Sequence, residues 1–569
     1  MAEEGQTTGT APGERHAIGI CFGNSNSSIA YTTVEDKAEV IANEDGDRQI
    51  PSILSYVDGE EYNGQQAKQQ LIRNSKNTVA YFRDFLGQDF KSIDPTHCHA
   101  SAHPQEHDST IAFKIQDKEG DEQSIVTVSE IATRNLKRLA QSASDFTGKT
   151  VNSAVITVPT NFSEKQRAAL TKAANDAGIE VLQLIHEPIA ALLAYDARPE
   201  SKVSDKIVVV ADLGGTRSDV AVIASRGGMY TILATAHDYE YAGVNLDKVL
   251  MDHFAKEFIK WNTTDPRENA RSLAKLKLES EATKKALSIG TNANFSVESL
   301  AEGIDFTSTI NRLRYETIAR KVFDGFNRLI EGVVKKAGLD VLDIDEVILS
   351  GGTSHTPKIA SNMQSIFSES TTILAPSTTP TAISPSELQA RGAALQASLI
   401  QEYEKEDIEQ STHPAVTTVK HLSNAIGVLS ITGDESKGVF TPIIAAETAV
   451  PARRTIHINT PKDGGDVLIK IVEGGSHIKV TKPEPKPKTN GDKNDDEDDE
   501  DEDDSEEELE DIREKVWKVG NVLAEAAVKG VKKGGKVEVM INVAGDLAVT
   551  VTCREVGGKG GVRGNLSPP

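Results

Sequence analysis

The chain has 569 residues, 38% of them apolar, and a formal net charge of −24. That length exceeds a single hydrophobic core, so roughly two to four domains are expected. No run reaches the about 18 consecutive apolar residues of a membrane-spanning helix, and the acidic balance disfavours autonomous nucleic-acid binding, which needs cations to displace counterions.

Residues 1–15 are small, polar and without an apolar stretch, which predicts a disordered tail and excludes a secretory signal. Residues 16–400 read as one large α/β region. The β-branched runs "HAIGICF", "SAVITVP", "KIVVVADL", "SDVAVIA" and "DEVILSGG" predict strands, and the amphipathic stretches between them predict helices. Ser163 opens "SEKQ", with Gln166 at the return position of a capping box, and Gly178 marks the stop. Another helix starts around Pro188 in "HEPIAALLAY", where the missing N–H of proline costs little.

The layout of strand, glycine-containing turn and strand occurs twice, in "AIGICFGNSNSSIAY" and "VVVADLGGTRSDVAVI", and a third such turn lies in "VILSGGTSHTPKI". One turn of this kind is more often an ordinary hairpin. Three in order, each after a strand, predict two lobes facing each other across a nucleotide, because backbone N–H groups of glycine turns bind oxyanions with no Cβ in the way.

Residues 401–415 are polar and charged and read as a linker. Residues 416–556 carry short strands and turns, the pattern of an antiparallel β domain, and residues 557–569 read as a second tail. The β domain is interrupted at about residues 481–511, where Asp495–Asp511 has 15 acidic residues among 17. Like charges at that density repel, which predicts a solvated, disordered insertion, with docking to a basic partner as the alternative. The stretch "ELEDIREKVWKVGNVLAEAAVKG" fits a helix by its charges and a strand by its "VWKV". Three scattered cysteines, Cys21, Cys98 and Cys553, argue for reduced thiols in a cytosolic protein and against a disulfide framework or zinc cluster.

The motifs "IGICFG", "VITVPTNFSEKQRAAL", "IHEPIAALLAY", "DLGGTRSDV", "EGIDFTSTINRLRYE", "ILSGGTSHTPKI" and "GVFTPII" stand in the order and spacing of the heat-shock protein 70 family, which the chain resembles from His16 to about Val556. The resemblance implies an α/β, actin-like, two-lobed nucleotide-binding domain followed by an antiparallel β-sandwich. The helical lid of the family is expected to be missing. It also implies ATP as the ligand, with phosphate turns at Gly23, Asn24 and Ser25 and at Gly214, Gly215, Thr216 and Arg217. The nucleoside pocket it implies comprises Gly243, Glu281, Lys284, Lys285, Ser288, Gly351, Gly352, Thr353 and His355, where His355 replaces an arginine that lies against the base.

The departures from the family pattern bear on chemistry. Cys21 stands where the family has an aspartate near the metal and water, Asn24-Ser25 replaces two threonines, Arg83 replaces the catalytic lysine, and Arg217 replaces a threonine. The acids Glu187 and Asp212 are kept. Neither a catalytic set nor a metal-ligand set is assigned. A guanidinium can hold phosphate bidentately, so ATP binding can survive without Mg²⁺. Hydrolysis depends on positioning and is expected to be lost. Cys21 reads as a small apolar residue of a strand interior.

Within the family the resemblance is to an atypical fungal, ribosome-associated branch. This implies a stable heterodimer with a J-domain protein, zuotin, and through it contact with the ribosome. It also implies support of a second heat-shock-70 chaperone in the cytoplasm, with no membrane and no direct nucleic-acid partner. The linker "EKEDIEQSTHP" lacks the leucine-rich signal of the family, and the β domain could instead take a fixed partner segment by strand addition. The competing readings are a slow, active ATPase chaperone that binds client peptides, and another actin-like protein such as a sugar kinase or filament subunit, which the β domain opposes.

Overall fold

The structure is a computed structural model that describes residues 15–566 apart from 96–100, 121, 199–200, 202–205, 227–228, 413–419, 421, 431–438, 445–447, 449, 460–463, 482–511 and 559. The expected acidic insertion, the expected N-terminal tail up to residue 14 and Cys98 lie outside the described residues. The chain divides into two compact units, Met1–Val419 and Lys420–Pro569.

In the first unit the duplicated layout becomes two sheets of one design. Strand Ala17–Cys21 pairs antiparallel with Asn26–Thr32 and parallel with Ser153–Val158. Strand Lys206–Leu213 likewise pairs antiparallel with Ser218–Arg226 and parallel with Glu346–Ser350. The parallel strands are covered on both faces, so they are apolar along their length rather than alternating; every residue of Ser153–Val158 is buried. Each central strand ends in a glycine turn, the place where ligands meet an α/β sheet. Helix Glu164–Asp176 carries the capping box of Ser163 and Gln166, and helix Glu187–Asp196 has Pro188 in its first turn.

Helix Leu388–Ile400 lies so close to the first sheet and to helix Glu187–Asp196 that side chains are excluded at both crossings. A Cβ on Gly19 would stand 2.1 Å from the Ala394 nitrogen, and one on Gly392 would stand 1.8 Å from the Ala190 carbonyl oxygen. The same helix carries Gln389 into the cleft described below.

The second unit has two four-stranded antiparallel sheets. Val537, Val539, Ile541, Val551 and Cys553 of one pack with Ile426, Val428, Ile469, Ile471 and Val528 of the other. The ambiguous "VWKV" stretch is strand, Ile512–Val531, paired along Gly465–Thr481. Among the described residues this unit contains strands and no helix.

Three segments differ from expectation. Arg15, expected in the tail, is held by Glu180 at 2.9 Å and donates to the Tyr403 carbonyl at 2.7 Å. The expected linker contains helix Lys405–Thr412, anchored by one buried side chain, Ile408, which packs with Leu182, Ile185 and Ala397. The expected C-terminal tail contains strand Gly561–Leu566, paired with Val549–Glu555. Backbone hydrogen bonds hold that edge strand, so its glycine-rich, exposed sequence gave no apolar signal.

The close helix crossing makes a direct prediction. Gly392→Ala forces a methyl group into the Ala190 carbonyl and lowers the stability of the first unit by about 1–3 kcal/mol, read as a lower denaturation midpoint. An unchanged midpoint would contradict the crossing.

Candidate functional site

The two glycine turns of the first unit face each other across a cleft of about 840 Å³. Asn24 Nδ2 donates to Thr216 Oγ1 at 2.9 Å, and a Cβ on Gly215 would stand 2.3 Å from Ser25 Oγ. Ser25 Oγ is buried and has no hydrogen-bond partner. A buried hydroxyl left in that state costs about 1–3 kcal/mol, so the site favours an incoming hydrogen-bonding oxygen. A polyphosphate chain fits this place, and ATP therefore fits the residues present.

The cleft collects nearly every residue singled out in the sequence. Cys21, Gly23, Asn24, Ser25, Arg83, Glu187, Asp212, Gly214, Gly215, Thr216 and Arg217 line one end. Glu281, Lys284, Lys285, Ser288, Gly351, Gly352, Thr353 and His355 line the rest. Gly243 stands just behind the lining: its N–H donates to the Gly214 carbonyl at 3.0 Å, and its own carbonyl accepts from Lys284 Nζ at 3.0 Å.

On the nucleoside side, Glu281 accepts from Lys68 at 2.7 Å and pairs with Lys285 at 2.7 Å. Burial raises the Glu281 carboxyl, but Lys68, Lys285 and Lys284 outweigh it and hold the group well below the usual range. Lys284 pairs with Asp247 at 2.7 Å. His355 Nε2 lies 3.1 Å from Ser386 Oγ, and burial pushes its imidazole down.

The phosphate end is dominated by two buried guanidiniums, Arg83 and Arg217, each 4% exposed. Arg83 donates to Asp84 at 2.7 Å, to Glu187 Oε1 at 3.0 Å and to the Phe22 carbonyl at 3.3 Å. Arg217 sets its fork on Asp219, through Nε at 2.7 Å and a second bond from Nη2. It also donates to Asn161 Oδ1 at 2.9 Å and to the Tyr239 hydroxyl at 2.9 Å. This corrects the expectation that Arg217 presents its fork to phosphate. Asp219, two residues along the same hairpin, takes the bidentate face, as a buried carboxylate needs a paired cation.

Oxygens of Glu187, Asp212 and Asp219 lie within 4.8 Å of one another, close enough to surround an ion. Glu187 is paired with Arg83 and Asp219 with Arg217. Two of the three carboxylates thus already carry a guanidinium, which lowers the negative charge the cluster offers a divalent ion. Burial pushes Glu187 up to about 8, with Arg83 opposing and Asp212 and Asp219 adding. Burial and then Asp219 push Asp212 up to about 6. Cys21 Sγ donates to Gln389 Oε1 at 3.0 Å. Burial, then Glu187 and Asp212, push this thiol up to about 12, so it stays protonated and is no nucleophile.

Asp84, Asn161, Asp219, Tyr239, Lys68 and Gln389 were not singled out in the sequence. Asp219 lies inside "DLGGTRSDV", and a buried arginine two residues away was a usable signal. The others approach from distant parts of the chain.

The pairing at Arg217 is testable by a mutant cycle. Arg217→Met leaves Asp219 buried and unpaired and costs the first unit about 3–5 kcal/mol. Adding Asp219→Asn recovers much of that loss. A single-mutant cost under about 1 kcal/mol, the level of an exposed pair, would contradict the pairing.

The family profile described as Hsp70 protein matches residues 17–484. The chain is 46% identical over 550 residues to the ribosome-associated complex subunit SSZ1 of Saccharomyces cerevisiae, covering 96% of this chain and 99% of that protein. A heat shock protein 70 homolog of Schizosaccharomyces pombe is 46% identical over 556 residues, covering 97% and 95%. Heat shock 70 kDa protein 14-B of Xenopus laevis is 31% identical over 471 residues, covering 82% and 89%.

Proposed function

The chain belongs to the heat-shock protein 70 family, and from that premise we propose that it is an ATP-binding, essentially non-hydrolysing chaperone subunit. In this proposal it pairs stably with a zuotin-like J-domain protein, reaches the ribosome through that partner in the cytoplasm, and supports a second heat-shock-70 chaperone in folding nascent chains. The fold is that of the family: an actin-like, two-lobed α/β unit followed by a β-rich unit. No helix among the described residues is long and apolar enough to cross a membrane.

One observation carries the proposal. At the phosphate end a protonated thiol stands where the family has an acid, and Arg83 and Arg217 cover Glu187 and Asp219. In the proposed complex Gly23, Asn24 and Ser25 face the phosphates from one turn, and Gly214, Gly215 and Thr216 face them from the other. Gly351, Gly352, Thr353, Ser288, Lys284, Lys285 and His355 surround the nucleoside. Hydrolysis requires a water held in line and a cation on the leaving oxygens. Loss of one well-placed group commonly costs about 10²–10³-fold in rate, and losses within one unit do not simply add. The retained Glu187 and Asp212 favour a second reading, a slow but active ATPase.

Nucleotide analysis separates these two readings. Protein purified without added nucleotide and then denatured should release ATP rather than ADP, and single-turnover hydrolysis should stay near background; brisk turnover would establish the second reading. The partner claim is supported by the likeness to a relative named as a ribosome-associated complex subunit. Affinity purification of the full chain from its own cells should recover a J-domain protein at near-equal amount through a high-salt wash. Recovery of the chain alone would contradict the stable pairing.

A further inference from the structure

The net charge of −24 argues against a nucleic-acid partner for the chain as a whole, but that charge is unevenly placed. Residues 512–569 carry ten Lys and Arg against five Asp and Glu. Strand register shows where part of this excess stands. In the sheet of Ala452–Asn459, Lys536–Val543, Val549–Glu555 and Gly561–Leu566, one face is buried through Val537, Val539, Ile541, Val551 and Cys553. The alternate residues point the other way. Lys536, Arg554 and Arg563 belong to that outer face and are exposed, as is Arg453 on the first strand.

Arg554 stands opposite Glu538, and Arg563 opposite Thr552. Lys536 is therefore one strand and two residues from Arg554, and Arg554 is the same step from Arg563. The three form a straight diagonal across three strands with steps of about 8 Å. The turn leading into Lys536 adds Lys532 and Lys533 and is closed by the Gly535 N–H, which donates to the Lys532 carbonyl at 2.8 Å. Glu538, the acid on the outer face of these strands, is held by Arg554 at 2.7 Å. Glu555, beside the turn, directs an oxygen to the Lys532 N–H at 2.9 Å. Among the described residues, the charged groups of Lys532, Lys533, Lys536 and Arg563 make no ion pair.

The acidic run is attached far from these cations. The long hairpin of the other sheet begins with Gly465 paired to Val531, next to the lysine turn, and ends with Thr481 paired to Ile512. Only at that second end does the chain leave for the acidic run. The two ends are about 50 Å apart along the strand, several times the about 8–10 Å over which salt screens charge.

We propose that this outer face, with the lysine turn at its margin, docks the sugar–phosphate backbone of RNA. The inference goes beyond the partner-mediated ribosome contact proposed above and rests on that reading only for RNA as the polymer at hand. A flat diagonal of cations suits a polymer whose charges recur at regular spacing. An acidic peptide would be held by side-chain pockets or a strand edge. This face offers instead hydroxyls and amides such as those of Thr552 and Asn542, and its one large apolar side chain, Met540, is covered by Arg453, whose Nε lies 3.0 Å from the sulfur. The outer face of these strands carries no Phe, Tyr or Trp, so bases find no stacking platform. Contacts to the backbone alone carry no sequence information.

The test is fluorescence anisotropy of a labelled oligouridine of about 20 nucleotides with the full chain alone. About three phosphate contacts give a salt slope near −2 for a single strand, so affinity should fall about 15-fold between about 50 and 200 mM salt. Replacing Lys532, Lys536 and Arg563 together by Gln should weaken binding about tenfold or more at the lower salt and flatten the slope. The same change at Lys91, Lys118 and Lys149, exposed on the first unit, should leave both unchanged. Thermal melting shows whether the triple variant folds; if it does not, Lys533→Gln with Arg453→Gln carries the test. Equal loss in both triple variants marks diffuse attraction and overturns the inference. Oligoglutamate of the same length competing as well as unlabelled oligouridine overturns it in favour of an acidic peptide. Absence of binding at the lower salt overturns it outright, while the partner-mediated route to the ribosome stands, because no partner is present in this assay.

Discussion

Carboxylates buried side by side must find positive charge or take up protons, and this constraint governs the cleft. Asp84, Glu187, Asp212 and Asp219 converge at its phosphate end. A diffusible ion could meet the demand, arriving and leaving with the nucleotide. This chain meets most of it with covalently attached guanidiniums, Arg83 on Asp84 and Glu187, and Arg217 on Asp219. The charge is therefore present before any ligand arrives. It also fastens parts of the unit together: Arg83 holds the Phe22 carbonyl beside Glu187, and Arg217 holds Asn161 of one lobe beside Tyr239 of the other.

Binding and hydrolysis make different demands on such a site. Binding needs donors facing the phosphates and a pocket for the base, and the facing glycine turns and the lysine-rich nucleoside side meet that need. Hydrolysis needs groups that engage the phosphates more strongly in the transition state than before it. Guanidiniums already committed to internal carboxylates have few donors left to strengthen. A protonated Cys21 offers no charge to a water or a metal. In the proposed function, the residues that keep the cleft ordered are the ones that separate binding from hydrolysis.

Much of this was legible in the sequence, for physical reasons that particular elements show. The parallel strands Ser153–Val158 and Lys206–Leu213 are buried on both faces and so read as unbroken apolar runs. The helix at Ser163 announced its start through a capping box that the structure contains. The turns at Gly23 and Gly214 were found because their layout repeats. What escaped was held by single anchors or by the backbone. Helix Lys405–Thr412 rests on Ile408 within a charged segment, and strand Gly561–Leu566 is an edge paired through main-chain atoms. In the site, the identity of Arg217 pointed to phosphate, whereas its direction depends on Asp219, Asn161 and Tyr239. Gln389 gave no local signal, because its contact with Cys21 is made only where a helix more than three hundred residues downstream crosses that strand.

The central claim is that the chain itself supplies much of the charge balance of the cleft, and with the proposed ATP binding it predicts a bound triphosphate without a metal ion. Phosphorus NMR of the full chain loaded with ATP tests this most directly, because the β-phosphate resonance moves when a divalent ion coordinates it. With Mg²⁺ added in excess, the resonance of protein-bound ATP should keep its metal-free position while that of free ATP shifts. A bound resonance that moves with the free one to the magnesium position would contradict the account.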